Sequence, residues 1–492
     1  MPEQPYVTLA PFDDPKYGLT PTVLILRDYS ADKIVNDQLA KTEQKIETFE
    51  SVAGAGPKSL AWLAGNGAVS IRARLEDDSP LRRRIVIDVE NRSLTSQITQ
   101  LDIRVPEIAV AYSAESRLYW GYRGGSRSRP GLDKWVQGNT GFWPGYCTSP
   151  VVTLWDEKTG QTLAVTFFND RLLEAAMYWF SGPSGEGDAK RQAINLFLRL
   201  QGPLEPLESV SLPVEISELS GGATEHWAHY RKDILQPFMA RMGFPESATF
   251  QAGGKWAFET DAGRGLTNKV FQLVRKAGIE GYVAWPYPDG QSFLFDSHLV
   301  SAPFFSEFLA TSQLAGLKHL GTLVIPDASP RVFNDMALGQ MIEVQGKKVP
   351  SKFANLFLNQ RADVTRQYNL LYARILRDHG ITIAYYDTGG GPHYSRPPLD
   401  WLRTYADYKR AGIAVMGETG GDVSAWISGV WFEYPYSWND YTMLPQLLPG
   451  AAFFAMAQDD HSKDDGKGPE KWWDNARRKG ITPVIRANYA GA

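Results

Sequence analysis

The sequence predicts a two-part fold: an antiparallel β-sandwich over residues 1–219, followed by a (β/α)8, or TIM, barrel over residues 220–492. Three observations lead there. At 492 residues the chain exceeds what one hydrophobic core organises, so two cores are expected. Up to Leu219 the chain is dominated by short alternating apolar and polar runs parted by turn residues, the period-two pattern of half-buried strands. Beyond Leu219 short apolar runs alternate with amphipathic helical stretches, the texture of parallel strands joined by crossover helices.

In the first part, eight segments carry the strand pattern: TVLILRDY, AVSIRARL, RRRIVIDVE, SQITQLDIRV, PVVTLWDE, QTLAVTFFND, AINLFLRL and VSLPVEISEL. So many short strands imply an antiparallel sandwich. Residues 33–53, KIVNDQLAKTEQKIETFESVA, lack β-branched density and read as a helix laid against it. YWGYRGGSRSRPGLDKWVQGNTGFWPGYC, residues 119–147, reads as a long aromatic loop. Such loops tend to be functional, and this one is expected to lean over the barrel mouth with Trp120, Arg123, Trp135 or Trp143 closing the pocket.

The barrel strands begin with KWAFE (255–259), followed by a helix with Leu266, Val270, Leu273 and Ala277 on one stripe. GYVAW (281–285), GTLVIPD (321–327) and ITIAYYD (381–387) follow, then a helix from near Pro398, IAVMGE (413–418) and GITPVIR (480–486). The length favours a closed barrel over an open sheet. Only 74 residues, Thr419 to Ala492, remain after IAVMGE, where βα units run to ~30 residues each. The late units are therefore shortened, or the chain stops short.

Composition narrows the functional classes. With 51 Lys plus Arg against 55 Asp plus Glu, no broad basic field is available and nucleic acid is excluded as the expected partner. One cysteine, Cys147, rules out an internal disulfide framework and a cysteine-based zinc site. No apolar run reaches the ~20 residues that span a bilayer, and the start, MPEQPYVTLAPFDD, lacks both a basic and an apolar signal region. The chain reads as soluble and without a membrane partner, either cytoplasmic or secreted with a signal removed. Residues 459–470, DDHSKDDGKGPE, are acidic but lack the spacing of a calcium loop and read as a solvated turn. Aromatic residues make up 12% of the chain, and many fall in Gly- and Pro-rich stretches where a ring could face a sugar.

Two strand ends carry the chemistry. A parallel barrel strand is buried on both faces, so a charge is tolerable at its carboxyl end, where active sites form. ITIAYYD ends on Asp387 and runs into three glycines; IAVMGE ends on Glu418 before TGG. Thirty-one residues separate the two acids, about one βα unit, which would set them on adjacent strands facing one cavity. Carboxyl groups ~5 to 5.5 Å apart can run double displacement at a sugar carbon, one as nucleophile and the other as acid, then base. Strand-terminal acids can equally cap helices, pair with arginines or bind metals.

YYDTGGG followed by MGETGGD resembles the catalytic region of endo-α-N-acetylgalactosaminidases and related intracellular α-N-acetylgalactosaminidases, glycoside hydrolases of a broad α-galactosidase-like group. The likeness covers residues 380–440 at the level of motifs. It implies a β-supersandwich before a (β/α)8 barrel, retention of anomeric configuration, Asp387 as nucleophile and Glu418 as acid/base. This chain is much shorter than the endo-acting enzymes and lacks their accessory modules, which leaves the sugar preference open.

Other residues rank around that pair as substrate contacts. Trp285, Tyr287 and Asp289 end the second strand, Lys255 lies in the first, and Asp327 ends GTLVIPD. His393 lies six residues past Asp387; Trp431, Glu433 and Trp438 cluster soon after Glu418, and Trp143 belongs to the aromatic insert. The expected function is a retaining α-glycosidase acting on an oligosaccharide or glycoconjugate, with no cofactor and no metal. A carbohydrate-binding protein without turnover and a transglycosylase using the same carboxylates are the alternatives; oligomeric state is left open.

Overall fold

A computed structural model describes most of residues 6–244 and, beyond them, chiefly 254–258, 278–284, 316–324, 363–386, 398–418, 421–432, 443–456 and 480–486. The chain forms two compact units, Met1–Arg241 and Met242–Ala492.

The first unit holds two antiparallel sheets. One runs in the order Val7–Leu9, Ile108–Ala111, Arg191–Leu204, Ser96–Arg104, Thr20–Asp28 and Glu43–Ile46, and Ala175–Pro183 also pairs with Arg191–Leu204. The other runs Gly125–Pro130, Ser116–Tyr122, Val151–Asp156, Gln161–Phe167, Ser209–Ser220, Arg82–Asn91, Val69–Ser79, Ser59–Ala64 and Glu50–Ser51. Leu118, Leu154 and Leu163 of one sheet and Trp179, Ile194 and Leu196 of the other line one interior space, so the sheets stack face to face. Alternate residues of single strands, Ile85, Ile87 and Val89 or Leu212, Val214 and Ile216, are buried, which is why their polar neighbours read as period two. All eight expected strands are present.

Two expectations fail in this unit. The described residues of 33–53 form no helix: Lys33–Val35 pairs with Gln38–Ala40, and Glu43–Ile46 is an edge strand on Thr20–Asp28 with three of its four residues exposed. Exposed charged residues are what an edge strand carries, and they imitate a polar helix in sequence. The aromatic insert is largely sheet as well, since Ser116–Tyr122 and Gly125–Pro130 form a hairpin and Val136–Asn139 pairs with Ala175–Pro183.

The sandwich ends at Ser220, and the unit continues through a short helix α1 (Ala223–Tyr230), a π-helical turn Arg231–Leu235 and the helix Gln236–Arg241. Helix α1 packs on Val151–Asp156 and Gln161–Phe167, which carries this unit past residue 219 to Arg241.

Eight parallel strands form a closed barrel in the second unit: β1 (Lys255–Phe258), β2 (Ile279–Ala284), β3 (His319–Val324), β4 (Ile383–Tyr386), β5 (Ala414–Glu418), β6 (Gly429–Phe432), β7 (Phe453–Met456) and β8 (Thr482–Arg486). Strand β1 pairs with β8 and closes the ring. Helices α2 (Asp363–Asp378) and α3 (Pro398–Arg410) precede β4 and β5. Among the described residues, α4 (Asp422–Ile427), six residues long, stands between β5 and β6, and a five-residue helix, Met443–Leu447, between β6 and β7. Short crossovers of this kind let three strands fit after residue 418. The helix expected on Leu266, Val270, Leu273 and Ala277 lies outside the described residues. No described helix is long and apolar enough to cross a membrane.

Candidate active site at the carboxyl end of the barrel

The barrel interior is solid from its amino end upward. Trp256, Phe258, Val283, Ile383, Tyr385, Met416, Phe454 and Val484 form one buried cluster. At the amino end the Trp256 indole lies flat on the His319 imidazole, centroids 5.4 Å apart at 10°, and meets the edge of Phe454 at 5.0 Å. Burial pulls His319 below its ordinary pKa, against the opposing pull of Glu280. Gly281 makes the stack feasible, because a Cβ there would come within 2.2 Å of the indole. Higher up, Phe258 meets Tyr385 edge to face at 5.4 Å. Among the described residues this column is packed, which directs the search for a reacting group to the level above Tyr385 and Met416.

Strands β4 and β5 reach that level together. Their register runs Ile383 to Ala414, Tyr385 to Met416 and Tyr386 to Gly417. Glu418 is the last residue of β5 and pairs with Trp431 of β6; Asp387 is the residue after Tyr386 and lies outside the described residues. On β5 the backbone position of Glu418 shares the face of Ala414 and Met416, which pack in or against the interior cluster. Gly417 is forced by packing on the outer face: a Cβ there would stand 2.6 Å from the Tyr405 hydroxyl of α3. Helix α3 is anchored in turn, since its buried Asp407 accepts from Arg366 of α2 at 3.2 Å and from Arg410 at 2.6 Å. A buried carboxylate with two guanidinium donors is satisfied, and it fixes the helix that supports β5.

The remaining expectations fare unevenly. Trp285, Tyr287, Asp289, His393, Glu433 and Trp438 lie outside the described residues, as do Arg123 and Trp135. Four placements need correction. Lys255 is the first residue of β1, at the amino end of the barrel, so it stands a strand's length from the carboxyl mouth. Asp327 does not end a barrel strand: β3 stops at Val324, and Asp327 pairs with Phe357 in a separate two-stranded sheet. Trp143 is fully buried in the first unit, 5.1 Å from the Phe168 ring, and Trp120 is buried edge-on against Trp179 at 5.2 Å. Both rings are core residues, unavailable as sugar platforms.

One carboxylate near the site escaped the sequence reading. Asp422, four residues after Glu418, is fully buried at the start of α4 and accepts from the backbone N–H of Val423 at 2.8 Å. Its signal was the final D of MGETGGD, which reads as loop polarity until burial is known.

No family model matches this chain, and no curated protein matches it in sequence. Among solved structures, the ligand-free α-N-acetylgalactosaminidase NagBb from Bifidobacterium bifidum aligns at a TM-score of 0.57 and 10% identity, over 96% of this chain and 90% of that one. An α-galactosidase from Thermus thermophilus in complex with stachyose aligns at 0.43 and 12% identity, over 89% and 88%. A xylosidase from Aspergillus niger aligns at 0.44 and 10%, over 89% and 68%. The first likeness spans nearly both chains, and at such identity it is the fold alone that is shared.

Proposed function

We propose that this chain is a retaining glycoside hydrolase acting on an α-linked sugar of galactose or N-acetylgalactosamine type, with Asp387 as nucleophile and Glu418 as acid/base. The observation that carries the reading is the register of β4 on β5, in which Tyr386 pairs with Gly417 one residue short of both carboxylates. Neighbouring strands lie ~4.8 Å apart. Two acids continuing those strands side by side would match the ~5 to 5.5 Å of a retaining pair better than the ~6.5 to 9.5 Å that leaves room for an inverting enzyme's water. The closed parallel barrel is read here as (β/α)8 and the paired sheets as a β-supersandwich. The whole-chain fold likeness to a protein named α-N-acetylgalactosaminidase supports the same class.

In the first step the Asp387 carboxylate attacks the anomeric carbon while the glycosidic C–O bond breaks. Glu418 gives its proton to the departing oxygen. In the second, Glu418 takes a proton from water, whose oxygen displaces Asp387 from the anomeric carbon and returns the same configuration. Repulsion between the two carboxyls favours the protonated form of Glu418 that the first step needs. Trp431, opposite Glu418 in register, and Trp285, next after β2, are the rings proposed to floor the sugar, with Tyr287, Asp289, His393, Glu433 and Trp438 around its hydroxyls.

The test is a panel of aryl α-galactosides, α-N-acetylgalactosaminides and α-glucosides followed by proton NMR. Release of the α-anomer first supports the proposal. The β-anomer would overturn retention, transfer to an added sugar without net hydrolysis would make the chain a transglycosylase, and saturable binding without turnover would make it a carbohydrate-binding protein.

A further inference from the structure

Away from the barrel, the first unit buries a histidine that the proposed chemistry does not use. Helix α1 carries His226 and His229 three residues apart, neighbours on one side of the helix with different partners. The His226 ring is 1% exposed and lies between two hydroxyls: Thr153 Oγ1 is 2.7 Å from Nδ1, and Thr166 Oγ1 is 2.9 Å from Nε2. A neutral imidazole suits that slot, donating through one nitrogen and accepting through the other. His229 instead meets two carboxylates, with Nε2 3.0 Å from Glu215 Oε1 and Nδ1 2.7 Å from Asp233 Oδ2. An imidazolium suits this one, because both nitrogens then donate.

Glu215, on Ser209–Ser220, also accepts from Arg82 at 2.6 Å and from the Ser217 hydroxyl at 3.3 Å; Arg82 reaches Asp77 at 3.8 Å. Arg84, opposite Glu215 in register, is engaged with Glu76 at 3.2 Å. From the strands that hold Thr153 and Thr166, those two hydroxyls bond to His226.

We infer that His226 and His229 form a pH-gated latch, one neutral and one charged, that seats α1 on the sandwich most firmly near neutral pH. Burial first, and then the neighbouring His229, depresses the His226 pKa to about 3 from its ordinary 6.5. The hydrogen bond to Glu215 first, with the charges of Glu215 and Asp233, raises that of His229 against burial. His226 therefore contributes fully above pH 6.5, where the released helix would also be neutral, and its contribution is lost as pH falls below 6.5. His229 contributes fully below 6.5, and its contribution is lost as pH rises from there through its raised value. The two limbs cross near 6.5. Glu215 stays ionised throughout, since the bonds from His229 and Arg82 outweigh its burial and hold its pKa at about 2.

The test is amide hydrogen exchange of residues 223–235 in the full chain from pH 5 to 9, corrected for intrinsic rates. Protection is expected to peak near pH 6.5 and to fall by about thirtyfold toward pH 5, one proton's worth per pH unit. His229→Gln, which keeps a hydrogen-bonding group but cannot charge, should lose the alkaline limb and keep the acid one. Flat protection in the wild type, or the same alkaline limb in His229→Gln, would overturn the latch. Histidine-selective NMR gives a second reading on the unmutated chain: His226 should stay neutral down to pH 5 while His229 titrates above 6.5, and a His226 midpoint near 6.5 would reject the proposal.

Discussion

The two ends of the barrel are built differently. At the amino end Trp256, Gly281, His319 and Phe454 interlock, and the contacts are apolar or aromatic throughout. At the carboxyl end the last described pair of β4 with β5 is Tyr386 with Gly417, and the next residue after each is an acid, Asp387 and Glu418. One sheet thus separates two tasks. The amino end holds the ring together, and the carboxyl end is where the proposal sets the charged groups.

That contrast can be broken most severely at the carboxyl end. Asp387→Ala should cut turnover by on the order of 10⁴-fold or more while leaving thermal unfolding nearly unchanged; wild-type activity would remove Asp387 from the chemistry. Glu418→Gln comes next, with a loss of about 10² to 10⁴-fold on substrates with poor leaving groups. Added azide should restore part of the rate on an activated aryl glycoside, and unimpaired hydrolysis would deny Glu418 its role.

At the amino end the effects should move from rate to stability. Gly281→Ala pushes a methyl into the Trp256 indole and should cost about 1 to 3 kcal/mol in urea unfolding, with kcat of the folded fraction unchanged. A large kcat loss there would mean that the two ends are not separate. The smallest effect is expected for Lys255→Met, at the start of β1, which should leave kcat/KM within about twofold. A strong rise in KM would restore Lys255 as a substrate contact.

Much of the fold was legible because period-two alternation and short apolar runs follow directly from one-sided and two-sided burial. Residues 85–89 and 212–216 show it in the sandwich, as do 383–386 and 414–418 in the barrel. What misled was polarity without context. The charged edge strand Glu43–Ile46 imitates a helix, and the Gly-rich hairpin of Ser116–Tyr122 and Gly125–Pro130 imitates a loop. Asp327 was assigned to a strand end and Lys255 to substrate contact from the apolar runs beside them, yet a run gives neither the point where a strand ends nor which of its residues lie near the mouth. Trp143 shows the limit for rings, because composition cannot separate a platform for sugar from a filler of the core. The carboxylate pair remains a proposal from the sequence pattern, since Asp387 lies outside the described residues and Glu418 is placed by its strand position alone.

The most direct measurement is to trap the intermediate. Incubation with an activated fluoroglycoside of α-galactosyl configuration, then peptide mass mapping, should find one glycosyl increment on the peptide spanning residues 381–394, fragmenting to Asp387. A label on another carboxylate, or continued turnover with none, would contradict the assignment of Asp387 as the nucleophile.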